Sequence, residues 1–236
     1  MDTDAELPER DRSSPAEQQG KRRSRFAVSP SSVPPWWSVA RWWRTALPAV
    51  ACVAALFLAN AFLVQPFLVP SGSMEGTLQI GDRVLVNKLA YRFGREPERG
   101  DIVVFDGDGS FLRTGGTDYV KRVIGIGGDR VTCCDPLGRL MVNGHPLDEG
   151  YLYPGDTPSQ VPFDIQVPAG RLWVMGDHRG DSRDSRDHLG EPGGGTVPLD
   201  EVIGRADWIG WPIGRMRSLD RPAVFAAIPE PGRGRG

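Results

Sequence analysis

Apolar positions in this chain form one long uninterrupted block followed by a series of short ones. Over 45–74 no charged residue occurs, and Ala, Val, Leu and Phe dominate as far as Val64. A hydrocarbon core about 30 Å thick takes about 20 helical residues, so the block predicts one membrane-spanning helix over 45–65. Pro48 falls near its first turn, where a missing N–H matters least. Downstream, short β-rich runs recur at 83–87, 101–105, 119–126, 130–133, 140–142, 171–175 and 201–204, separated by Gly, Pro and Asp. Short strands between turn signals predict a mainly β, antiparallel domain.

The flanks of the apolar block orient it. Lys21, Arg22, Arg23, Arg25, Arg41 and Arg44 precede it and neutral or acidic residues follow, which places the N-terminus in the cytoplasm. Trp36, Trp37, Trp42 and Trp43 surround Arg41 as interfacial anchors would. A cleavable secretory signal is the competing explanation, since Ala59-Asn60-Ala61 has the small-x-small form. The apolar run starts far from the N-terminus and continues to Val69, which fits an uncleaved anchor better. Residues 1–44 are polar and Pro/Ser-rich, a composition that predicts a disordered cytoplasmic tail. Residues 66–220 remain for folded structure, and 221–236 predict a flexible C-terminal tail. A net charge of −2 with both signs interspersed leaves no basic footprint for nucleic acid.

Candidate chemistry narrows by residue type. The histidines, His145, His178 and His188, form neither HExxH nor a Cys/His cluster, so no metal or other cofactor is expected. Cys133 and Cys134 are adjacent on the exported side, where free thiols, intermolecular pairing and a vicinal bond all remain open. Gly125-Ile126-Gly127-Gly128 lies between two strand-like runs, and a phosphate loop would need a following helix. A serine nucleophile needs a base, either His or a Lys whose pKa burial has lowered. His178, Asp181 and Ser182 offer one arrangement. Lys121, in a β-branched run, offers another, unless it is an edge-strand lysine paired with Asp118.

Four blocks decide between them. Pro70-Ser71-Gly72-Ser73-Met74-Glu75-Gly76-Thr77-Leu78 follows the span and continues into Ile80-Gly81-Asp82. Arg99-Gly100-Asp101-Ile102-Val103-Val104-Phe105 comes next, then Tyr119-Val120-Lys121-Arg122-Val123-Ile124-Gly125 with Gly128-Asp129. Gly176-Asp177-His178-Arg179 closes the series with Ser182, Asp184, Ser185 and Arg186. In this order, behind an anchor, they resemble type I signal peptidase, the membrane-bound serine/lysine endopeptidase that removes signal peptides from exported proteins. The resemblance covers about 45–215.

The resemblance implies that Ser73 is the nucleophile and Lys121 the general base. It implies an oxyanion hole of the Ser71 hydroxyl and the Ser73 N–H, a hydrogen bond from Ser182 that orients Lys121, and an Asp184/Arg186 pair that supports the loop. Arg122 reads as the structural partner of a carboxylate. The implied fold is a core lobe of 66–131 and 172–215 with a smaller β lobe inserted at 132–171. The implied setting is the plasma membrane, with a single pass and an extracytoplasmic catalytic domain. The implied partners are exported preproteins, the phospholipid membrane and the translocation machinery. Two positions depart from the family pattern: Gly76 replaces a common proline, which predicts a less constrained turn, and His178 replaces an asparagine. A self-cleaving Ser/Lys regulator and a catalytically silent anchored binding domain are the alternatives. Phe67 and Leu68 are expected to rest on the outer leaflet, and Trp208 and Trp211 either there or in the core.

Overall fold

The computed structural model describes residues 36–108, 110–111, 117–191 and 193–231, with side chains of the first helix described over 43–58. The chain divides into two compact units, 1–47 and 48–236. Most of the predicted tail, 1–35, lies outside the described residues.

Helix α1 runs over Trp36–Phe62, so it starts nine residues before the predicted span and carries Pro48 in its interior rather than its first turn. Among the described residues no helix is long and apolar enough to cross a membrane.

The remainder is antiparallel β structure. Strands β1 (Val64–Leu68), β2 (Arg83–Asn87), β3 (Ile102–Asp106), β4 (Asp118–Gly125), β9 (Arg171–Met175), β10 (Val197–Pro198), β11 (Val202–Trp211) and β12 (Arg217–Ser218) form one sheet. Its order is β1-β2-β11-β3-β4-β9-β10, with β12 on β11. A second sheet of four strands, β5 (Arg130–Cys133), β6 (Leu140–Val142), β7 (His145–Pro146) and β8 (Phe163–Gln166), is ordered β7-β6-β5-β8. Every pairing is antiparallel. A disulfide joins Cys133 to Cys134.

Strands β3 and β4 are central and buried on both faces, and they read as nearly continuous apolar runs for that reason. Val84, Val86, Ile102, Val104, Ala206 and Ile209 form one core cluster with Met74 and Leu78, so the turn carrying Ser73 is nailed to the sheet from both sides. Trp208 and Trp211 are half exposed and belong to no core, as does Leu68.

The C-terminal segment is not a loose tail as far as Pro231. Its short 3₁₀ turn, Ala223–Ala227, puts Phe225 and Ile228 three residues apart on one side. Both are buried in the cluster that holds Ile124, Val131, Trp173 and Met175. Burying Phe225 contributes about 2 kcal/mol, which outweighs the polarity of the flanking residues. Arg221, paired with Glu98 and Asp101, fastens the entry to the segment.

Candidate active site

Ser73 lies in the middle of a 3₁₀ turn, Gly72–Met74, entered from an extended Ser71. Met74 is the apolar residue that seats the turn, being 1% exposed. Gly76, four residues past Gly72, has φ +103°. A proline ring fixes φ near −65°, so the family's common proline could not adopt this conformation. The turn is also more confined than expected, because a Cβ on Gly76 would stand 2.8 Å from the Tyr151 carbonyl oxygen.

Strand alternation sends Lys121 and Arg122 to opposite sides of β4. Lys121 is 3% exposed, and its Nζ donates to Ser73 Oγ at 2.6 Å. Burial penalises the ammonium and lowers its pKa to about 8, against opposition from the charges of Asp184, Asp177 and Asp181. An edge-strand pairing with Asp118 is excluded by this geometry. Ser71 Oγ sits 3.4 Å from Ser73 Oγ, on the exposed lip of the turn.

The third contributor is the loop after β9. Gly176 N–H donates to Asp184 Oδ2, and Arg186 grips the same carboxylate with Nε and Nη2, each at 2.8 Å. Burial alone would raise the Asp184 pKa, but the Arg186 hydrogen bonds and charge overcome it and hold the carboxyl below its ordinary value. Ser182 is buried beside this pair, and its Oγ makes no hydrogen bond among the described residues. The expected bond from Ser182 to Lys121 is therefore not made. The His178, Asp181, Ser182 arrangement does not assemble either. His178 instead stacks on Tyr153 with ring centroids 4.0 Å apart, and its backbone N–H donates to the Ser73 carbonyl oxygen at 3.1 Å.

Beneath these groups runs a buried ionic network that the motif reading barely anticipated. Arg122 makes two bonds to Asp177, at 2.8 and 2.6 Å, and one to the Gly100 carbonyl oxygen at 2.9 Å. Thr77 Oγ1 donates to the same carboxylate. The guanidinium lies over the Tyr151 ring at 4.4 Å. Tyr151 donates to Glu149, which pairs with Arg179, and Arg179 in turn donates to the Gly176 carbonyl oxygen. The network ties the Ser73 turn, β4, the loop after β9 and the second sheet's connection into one unit. Glu149 and Tyr151 carried no signal in the sequence, and Thr77 and Asp177 stood in the motif blocks without a role, although a carboxylate partner was expected for Arg122. Both Arg-Gly-Asp tripeptides have their arginine consumed by such pairs, Arg99 with Asp129 and Arg179 with Glu149.

A hydroxyl held against a buried amine of lowered pKa, beside a second hydroxyl, can attack a carbonyl and receive its developing oxyanion. The sequence matches the family described as signal peptidase, peptidase S26, over residues 39–211. Signal peptidase I of Mycobacterium tuberculosis is 39% identical over 215 residues, covering 72% of each protein. Signal peptidase I of Bacillus licheniformis is 35% identical over 179 residues, covering 72% of this chain and 89% of that one. A solved signal peptidase I from Enterococcus faecalis shares 28% identity, covering 47% of this chain and 96% of that chain at a TM-score of 0.35. The fold described above rests on its own strand pairings.

Proposed function

The chain belongs to the peptidase S26 family of signal peptidases, and we propose that Ser73 and Lys121 are its nucleophile and general base. Its activity is that of a serine endopeptidase that removes signal peptides from preproteins. The observation that carries the residue assignment is the 2.6 Å contact between a buried Lys121 amine and Ser73 Oγ.

With Lys121 neutral, its lone pair lies along the line of that contact and accepts the Oγ proton as Oγ attacks the scissile carbonyl. The tetrahedral oxyanion is received by the Ser71 hydroxyl and the Ser73 N–H. Lys121, now an ammonium, returns the proton to the leaving amine, and an acyl ester on Ser73 remains. A water that gives its proton to Lys121 attacks the ester, Lys121 passes that proton to the departing Ser73 Oγ, and the signal peptide leaves with a free carboxylate. Ser182 supplies the buried acceptor that the transient ammonium needs, which gives its unpartnered hydroxyl a use. Asp184 and Arg186 hold the backbone that carries Ser182 and Gly176.

The substrate lies extended, as a strand added to an edge. Strand β1 is terminal in its sheet, and Ser73 follows five residues after it. Small residues at the first and third positions before the cut fit shallow pockets against that edge. The helical part of the segment 45–65, which ends at Phe62, is the membrane span, N-terminus inside, with the β domain outside at the plasma membrane, near the translocation machinery. Support comes from the charge-free sequence and from Leu47, Val50, Val53, Leu56 and Phe57, all more than half exposed among the described residues. The test is cleavage of an Ala-x-Ala preprotein in detergent micelles by wild type, Ser73→Ala and Lys121→Ala. Folded variants that both lose cleavage support the pair, and activity retained in either overturns it.

A further inference from the structure

A groove of about 960 Å³ opens where the chain leaves α1, and its walls include Leu63, Val64, Arg92, Phe93, Arg95 and Trp208. None of these residues belongs to the machinery around Ser73. Phe93 is 91% exposed and sits at φ +61°, a backbone region that a bulky side chain rarely occupies. Gly94 follows at φ +78°, so two left-handed residues in succession hold the aromatic ring out at the tip of its loop. Leu63, Val64 and Trp208 add further exposed apolar surface along the same groove.

The charges lining the groove are unevenly satisfied. Arg205 pairs with Asp207, and Arg221 with Glu98 and Asp101. Arg92 and Arg95 are exposed, and neither makes an ion pair among the described residues; Glu96, the exposed carboxylate between them and Glu98, offsets one of these two charges. Two uncommitted guanidiniums therefore flank an outward phenylalanine, above an apolar wall.

We propose that this groove binds the phosphodiester headgroup of an anionic phospholipid in the outer leaflet. The inference rests on the reading of 45–65 as the membrane span, which brings Leu63 and Val64 to headgroup depth. Guanidinium forks match phosphate oxygens, and amphipathic aromatic rings settle at the interface between headgroups and acyl chains. A soluble anion would satisfy the arginines and leave Phe93, Trp208, Leu63 and Val64 in water, which is why a lipid is the better occupant. Bound there, the lipid fixes the loop at 89–96 against the membrane plane.

The test uses the full chain in nanodiscs of phosphatidylcholine, with or without one-third phosphatidylglycerol, read by amide hydrogen exchange. Two arginines near an anionic surface predict that amides of residues 91–95 exchange about tenfold more slowly in the phosphatidylglycerol discs. That difference disappears in the Arg92→Gln/Arg95→Gln variant, whose cleavage of a preprotein in detergent stays at the wild-type rate. Equal exchange in the two discs overturns the headgroup site, as does a double variant that keeps the protection. Inorganic phosphate that reproduces the protection in phosphatidylcholine discs also overturns it, in favour of a small-anion site. Incorporation that resists alkaline carbonate reports the span separately: failure to incorporate overturns the anchor and the depth argument together, whereas incorporation with equal exchange removes the headgroup site alone.

Discussion

Gly176 faces the carbonyl oxygen of Ser73 so closely that a Cβ built on it would stand 2.3 Å from that oxygen and 2.3 Å from Ser182 Oγ. The position is intolerant because of proximity, with no left-handed φ involved. The Ser73 oxygen is backbone and cannot swing away, so Gly176→Ala pushes the nucleophile's turn off the loop after β9. A displacement of about 1 Å at reacting groups costs on the order of a hundredfold in rate. Gly176→Ala is expected to lose at least that in kcat while still folding, measured by preprotein cleavage and by thermal melting. A kcat within a few-fold of wild type would show that the turn can relax.

Cleavage is expected to follow the neutral fraction of Lys121. The ammonium is inactive as a base, so the rate climbs with pH up to about 8, where Lys121 titrates, and levels above it. Asp184→Asn removes the charge that most strongly opposes this lowering, and it leaves Arg186 uncompensated nearby. Both effects push the inflection to lower pH. The measurement is kcat/KM against pH for wild type and variant, and an inflection that stays put or rises would contradict the electrostatic account.

The same lysine weakens the fold that uses it. Holding at about 8 a group that titrates at 10.5 when unfolded means that the charged amine is disfavoured in the native state. The penalty, on the order of 3 kcal/mol, is complete below pH 8 and fades as pH rises through 10.5, where the unfolded chain also loses its proton. Lys121→Met is therefore expected to be inactive yet more stable than wild type at pH 7. Denaturant titrations should show the margin shrinking between pH 8 and 10.

Ser71→Ala tests the second oxyanion donor. The hydroxyl is exposed and makes no packing contribution, so stability should stay within about 0.5 kcal/mol. Loss of one such donor costs about a hundredfold to a thousandfold in kcat, with KM little changed. Ser71→Thr, which keeps the hydroxyl, should restore much of it.

Asp177 behaves differently from these. Replacing it with Ala strands Arg122, 2% exposed, without its carboxylate. Breaking one side of a buried pair costs about 3–5 kcal/mol, and Thr77 loses its acceptor as well. Thermal melting should show a large drop, with activity lost because the fold is lost. Replacing Arg122 and Asp177 together by Met and Leu should cost less than the single change.

The contact between Ser73 and Lys121 was legible because the two residues stand in ordered blocks carried by one short turn and one central strand. The mainly β architecture was legible because apolar runs of strand length alternate with turn residues. The supporting network was not, since Thr77, Arg122, Glu149, Tyr151 and Arg179 come from distant segments and only the folded chain shows that they share one low-dielectric pocket. Ser182 was expected to orient Lys121 through a hydrogen bond, and that bond is not made. The segment from Arg221 to Pro231 was misread because the six-residue apolar run 223–228 is too short to show a period, and its partners at Gly100 and Tyr151 lie far away in sequence. The left-handed φ at Gly76 was hidden for a similar reason: a glycine in place of proline looks like lost rigidity until the Tyr151 carbonyl is seen against it.

Phe225 has its ring against Gly100 and stacked 6.0 Å from Tyr151. The cluster shared by the two sheets is thus incomplete until residues near 228 have been made and delivered. A chain made from its N-terminal end has its early strands in place before this late piece exists. Closure of that cluster therefore waits on chain order, since Phe225 and Ile228 are the last of its buried side chains to be synthesised.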